Sequence, residues 1–232
     1  MRALRILLVV AVILGGIFVA LDRLAVGMAE SEVAKRLQSR QGLTGTADVS
    51  IKGFPFLTQV AAKRFDQVDV TLRGIEASTA GHRLRISEMT AELHDVRVRG
   101  GVTDFAGATA DRATGGALVS YGDLSEAAED DISLSYGGNG KVKVTGSVDV
   151  LGRKITRSVL SSVSLADGDT IRVRADEVPG EGIPGLEGMI RERTDFDRQV
   201  SGLPEGMELE KVEATKDGAK ISVTGTDVAL AG

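Results

Sequence analysis

The sequence predicts a β-rich α+β fold in which an antiparallel sheet packs on an N-terminal helix, preceded by one membrane-spanning or signal-anchor segment. Three observations carry that prediction. Residues 6–21 form an uncharged apolar run behind Arg2 and Arg5. Residues 22–41 then show a helical period, and from residue 45 onward apolar and polar residues alternate strictly in many short runs.

The apolar run comes first. A spanning helix needs about 17–25 apolar residues, so this run reaches the lower limit when Leu4 is counted and Arg5 snorkels. The two arginines orient the N-terminus inward and everything later outward. A retained anchor over residues 1–21 is one reading. A signal peptide cleaved near Ala25-Val26-Gly27 or Gly27-Met28-Ala29 is the other. Both export residues 22–232, placing them at the cell membrane or beyond it as one extracytoplasmic domain.

In the next segment Val26, Ala29, Val33 and Leu37 share one helical face, while Asp22, Glu30, Glu32, Lys35 and Arg36 take the other side. Glu32 and Arg36 form a favourable i,i+4 pair. Such a helix packs on the domain's own sheet or lies on a membrane surface; its basic residues are few for the second role.

Strand signals follow. Ala47, Val49 and Ile51 alternate with Asp48, Ser50 and Lys52, and Val68, Val70 and Leu72 repeat the pattern. Residues 83–99 alternate with a change of phase at Met89, Ala91 and Leu93, which predicts one long strand with a bulge. Further strands are expected around Leu134, Val144, Val159, Val173, Leu209 and Val223. The turns Gly137-Gly138-Asn139-Gly140, Asp167-Gly168 and Asp217-Gly218 predict hairpins, hence antiparallel neighbours. Two short helices are expected, one at 121–128 capped by Asp123 with Glu126, the other at 186–193.

Composition narrows the function classes. The net charge is −5 with both signs interspersed, which argues against a nucleic-acid partner. The chain has no cysteine, so a disulfide framework, a thiolate metal site and a lipobox anchor are excluded. The GEGIPG stretch at 180–185 fits a dinucleotide string, but an antiparallel setting lacks the parallel crossover that such a site requires. His94 beside Asp95 is explained by strand alternation, and Glu129-Asp130-Asp131 by a solvated loop. No catalytic residues, metal or cofactor are expected, and the chain reads as a non-enzyme.

A long one-sided antiparallel sheet leaves a large apolar face. It can curl onto the 22–41 helix, or enclose something apolar that the chain does not supply. With aromatics at 3% and no Trp, the walls are aliphatic and suit acyl chains. Each buried methylene contributes about 0.8 kcal/mol. A self-packed structural domain that scaffolds envelope protein partners produces the same alternation.

The most distinctive segment is GFPFLTQ at 53–59, where Phe54 and Phe56 flank Pro55 directly after a strand. The two rings form either a core plug or a lipid-facing lip. This segment, with Ser120-Tyr121-Gly122-Asp123-Leu124, Leu203-Pro204-Glu205-Gly206 and the Asp217-Gly218 hairpin, resembles the LmeA-like family of actinobacterial envelope proteins, described as phospholipid-binding. The resemblance implies a sheet curled around a helix, like tubular lipid-binding folds. It also implies phospholipid binding in support of lipoglycan or envelope assembly. With it, Phe54, Phe56, Leu57 and Phe65 are expected near a groove mouth, and Leu118, Val119 and Leu124 further in. Lys52, Lys63 and Arg64 become candidates for meeting a headgroup phosphate.

Overall fold

In a computed structural model the described residues are 2–39, 45–79, 82–100, 107–126, 128, 132–150, 153–176, 188, 191, 194–200 and 203–230. The expected 186–193 helix lies largely outside them, and the GEGIPG stretch and the acidic run at 129–131 lie wholly outside. The apolar run and the amphipathic segment form one continuous helix, α1 (Arg2–Ser39). Its outer half carries exposed aliphatic residues throughout, and it is long and apolar enough to cross a membrane.

The inner half packs as its period predicts. Val26, Ala29, Val33 and Leu37 meet Val49, Ile51, Val68 and Val96 in one core. The helix runs beside β1 (Thr46–Lys52). Glu30 Oε1 accepts the Ile51 N–H at 2.7 Å, and Gln38 Nε2 donates to the Ala47 carbonyl at 3.4 Å. Side chains of α1 thus satisfy backbone groups of an edge strand, which would otherwise template pairing with another chain. The Glu32–Arg36 pair closes at 3.1 Å. Asp22, expected on the wet side, is instead fully buried.

After α2 (Phe56–Ala62) the chain builds β2 (Arg64–Thr79), β3 (His82–Arg97) and β4 (Thr109–Val119), then α3 (Tyr121–Glu126). A meander follows: β5 (Ile132–Gly138), β6 (Lys141–Val150), β7 (Arg153–Ala166), β8 (Thr170–Ala175) and β9 (Phe196–Gln199). The chain ends with β10 (Met207–Ala214) and β11 (Ala219–Ala229). The single long sheet expected from the alternation is two antiparallel sheets. One has the order β1-β2-β3-β4-β11-β10 and the other β5-β6-β7-β8-β9. The meander is thus inserted between β4 and β11, and β7 lies against β10 with Ala214 in the second core.

The turns obey their residues. Asn139 and Gly140 both take positive φ, 50° and 72°, as a two-residue hairpin between β5 and β6 requires. In α3 the cap is one turn position earlier than expected. Ser120 Oγ accepts the Asp123 N–H at 3.1 Å and donates to the Asp123 carboxylate, so Ser120, not Asp123, begins the helix.

The phase change predicted in β3 is real but is not a one-strand bulge. Its pairing register with β2 and β4 is unbroken on both sides of Asp95. Instead four strands step together. Core-facing positions jump by three residues in each: Phe65 to Val68, Val96 to Leu93, Ala110 to Ala113 and Val228 to Gly225. Between them stand Asp66, Asp95, Asp111 and Asp227, with Asp95 and Asp227 at φ 52° and 51°. The sheet is creased along this row while the same physical face stays inward.

Candidate functional site

The GFPFLTQ segment packs where the outer half of α1 meets the domain. Gly53 has φ +95°, and a Cβ there would lie 2.6 Å from the Asp66 carboxylate and 2.7 Å from the Gln59 amide. Only glycine fits so close an approach. The Phe54–Pro55 bond is cis, and α2 begins at once. Buried Gln59 ties both ends of the segment, accepting the Asp66 N–H at 2.9 Å and donating to the Lys52 carbonyl at 3.2 Å.

The four apolar candidates of this segment divide into two pairs. Phe56 and Phe65 are 4% and 1% exposed, with ring centroids 6.2 Å apart, and belong to the core beneath α1. Phe54 and Leu57 are 51% and 37% exposed. The Phe54 ring lies under the Arg23 guanidinium, 5.1 Å from Cζ, and the Leu57 N–H donates to Asp22 Oδ1 at 2.8 Å. Phe56 and Phe65 are thus core residues, and Phe54 and Leu57, on either side of Pro55-Phe56, are exposed.

The three basic candidates lie at this same end of the sheet. Arg64 pairs with Asp95 at 2.6 Å, and that bond holds the Asp95 carboxyl below the ordinary carboxylate range. Lys52 lies 3.6 Å from Asp69. Lys63 closes α2 in the left-handed conformation, its N–H directed at the Gln59 and Val60 carbonyls, and makes no ion pair among the described residues. Leu118, Val119 and Leu124 sit at the opposite end of β4, where Tyr121 Oη donates to the Thr215 carbonyl at 2.8 Å. From Ala110 to Leu118 the strand covers about 27 Å at roughly 3.4 Å per residue, so they do not join the first group.

Between these ends lies a feature the alternation did not single out. Three consecutive rows cross the six-stranded sheet: Ile51-Val68-Leu93-Ala113-Gly225-Met207, Val49-Val70-Ala91-Gly115-Val223-Leu209 and Ala47-Leu72-Met89-Ala117-Ile221-Val212. In the second row Val49 and Leu209 are buried at the edges, while Val70, Ala91, Gly115 and Val223 are half-buried in the middle. Small residues at Ala91, Ala113, Gly115 and Ala117 lower the floor along β3 and β4. These rows make one aliphatic face, the trough, with α1 packed on Val49, Ile51, Val68, Val70 and Leu93, and β7 of the second sheet lying beside β10. The opposite face differs. Its outward side chains include Thr71, Thr90, Glu92, Thr114 and Ser222, and they line an open depression of about 380 Å³ that Val70, Ala91, Gly115 and Val223 also border.

His94 stands outside the trough, its Nε2 2.9 Å from the exposed Glu92 carboxylate. The Glu92 carboxylate of that pair is 49% exposed.

Comparison with known proteins gives one match. The sequence model of the family described as LmeA-like phospholipid-binding matches residues 20–225, nearly the whole described domain and the last residues of the apolar run. No curated protein and no solved structure matches the chain.

Proposed function

The chain belongs to the LmeA-like phospholipid-binding family, and from that premise we propose that it holds a phospholipid acyl chain in the trough of its six-stranded sheet, on the outer side of the cytoplasmic membrane, without catalysing a reaction. The observation that carries this reading is the aliphatic face on which Ala91, Gly115 and Ala117 stay half-buried in the middle while Val49 and Leu209 are buried at the edges. An acyl chain there replaces water over surface that the protein's own side chains leave partly uncovered. Burying about a dozen methylenes contributes roughly 10 kcal/mol gross, before the cost of immobilising the lipid.

In this reading Phe54 and Leu57 form the lip on the membrane side, and Phe56 and Phe65 support the lip from the core. Val119 and Leu124 bound the far end, while Leu118, paired with Glu88 and Lys220, points to the opposite face. Lys63 is the basic side chain best placed to meet a phosphate, because Lys52 and Arg64 already face Asp69 and Asp95. The sheet then wraps its lipid as tubular lipid-binding folds do, and the bound lipid serves envelope or lipoglycan assembly.

The test is native mass spectrometry of the full chain after delipidation and incubation with phospholipid vesicles, with organic extraction alongside. One phospholipid per chain is expected. A bare protein mass under the same conditions overturns the reading and favours a self-packed domain that scaffolds envelope proteins.

A further inference from the structure

The exposed lip is fixed to the end of the apolar helix rather than tethered near it. Asp22 and Arg23 directly follow the uncharged run that ends at Leu21. The first, fully buried, takes the Leu57 N–H at 2.8 Å, and the second stacks on Phe54. Helix α1 continues unbroken past them, and Ala25, Val26 and Ala29 pack into the domain core. Span, lip and domain therefore hold one mutual orientation.

From this geometry we propose that the lip is a membrane-docking surface: Phe54, Leu57 and Leu24 enter the interfacial layer of the bilayer that α1 crosses, with Asp22 as the clamp that sets their depth. Six large hydrophobic residues beyond the apolar run are exposed among the described residues: Leu24, Met28, Phe54, Leu57, Leu160 and Phe196. Phe54 and Leu57 lie at this junction, and Leu24 and Met28 follow it along α1 itself. The depth agrees. Leu24 lies about 4.5 Å beyond Leu21 at 1.5 Å per helical residue. The interfacial layer on each side of the hydrocarbon core is roughly 5–8 Å thick. Met28, about 10 Å out on the same scale, lies beyond it. Arg23 falls at the level of lipid phosphates, where its charge is favoured and its stacking on Phe54 shields the ring.

The inference rests on α1 being retained as a span, and it is separable from lipid uptake by the trough. Cleavage at either candidate signal site would remove Asp22 and Arg23 and leave the lip without its clamp.

The chain has no Trp, so a single indole reports one position. The full chain carrying Phe54→Trp, and separately Leu57→Trp, is reconstituted into phosphatidylglycerol–phosphatidylethanolamine vesicles whose acyl chains are brominated close to the headgroup. Phe196→Trp, on the second sheet, is the reference. Indole fluorescence at positions 54 and 57 should fall at least twofold relative to unbrominated vesicles, with position 196 unchanged. Equal intensities in both vesicles at 54 and 57 overturn the proposal. Adding Asp22→Ala to Phe54→Trp should restore most of the intensity; undiminished quenching overturns the role of Asp22 as clamp. Extraction after gel filtration keeps the two readings apart. Quenching with no retained lipid leaves docking and removes the trough, whereas one retained lipid without quenching does the reverse.

Discussion

The Leu57 N–H donates to Asp22 Oδ1 at 2.8 Å, joining α2 to the helix that precedes the domain. The other carboxylate oxygen, Oδ2, is buried without a hydrogen-bond partner. Removing the acceptor leaves a part-buried amide without this partner, which costs about 1 kcal/mol. Asp22→Ala should therefore lower stability by that amount and abolish hydrogen-exchange protection of the Leu57 amide. Asp22→Asn keeps an acceptor and should preserve the protection. Equal protection in the alanine variant and the parent would show that the bond contributes nothing.

The two phenylalanines around Pro55 should behave oppositely. Phe56 is packed against Phe65 in the core, so Phe56→Ala should cost about 3–5 kcal/mol. Phe54 contributes chiefly its contact with Arg23, worth about 0.5–1 kcal/mol at an exposed site. Urea unfolding of each single variant measures the difference. Similar losses for both would mean that Phe54 is also a core residue.

Much of this architecture was legible in the sequence because alternation and turn chemistry are local signals. Val49 and Ile51, Val68 to Leu72, and Asn139-Gly140 announced their strands and turns directly. Strand β4 did not, although it is central to its sheet, because its inward positions are Ala110, Ala113, Gly115 and Ala117. Small residues have weak strand preference. Those same small residues make the trough floor, so the feature that hid the strand also hid the site. β9 was missed because Phe196–Gln199 is too short to show a period. Burial of Asp22 had no sequence signal at all; it depends on α2 folding back beside α1. The division into two sheets was equally hidden, since every strand neighbour up to β9 is also a sequence neighbour except where β4 turns to β11.

Acid should weaken the creased sheet and the β8–β9 edge. The Arg64 hydrogen bond lowers the Asp95 carboxyl, the Arg172 bond lowers Asp197, and the Gln199 bond lowers Asp169. A carboxyl whose folded pKa is depressed contributes stability that is complete above its unfolded value, near 3.9. That contribution is lost as pH falls through the lower, folded value. The urea midpoint should thus be flat from about pH 5 to 8 and decline below about pH 4. Asp95→Asn should shrink the decline, and added salt should shrink it too, since these groups are solvent-screened. A midpoint that rises toward acid would contradict the assignment.

The trough makes a prediction that depends on which face of one strand is changed. Ala91 and its neighbour Thr90 point to opposite faces of β3, as successive strand residues do, with Ala91 in the aliphatic row of Val70 and Gly115. Ala91→Leu puts three extra carbons where the acyl chain would lie and displaces about two methylenes of contact, roughly 1.6 kcal/mol. Phospholipid affinity should therefore drop about tenfold. Ala117→Leu, one row along, should act in the same direction. Thr90→Leu adds similar apolar bulk to the opposite face and should leave affinity unchanged. Because Ala91 and Ala117 are only half-buried, their larger replacements have open space to enter, and unfolding midpoints should stay close to the parent. Lipid titration of the three variants decides the matter. If Thr90→Leu weakens binding as much as Ala91→Leu, the lipid does not lie on the aliphatic face.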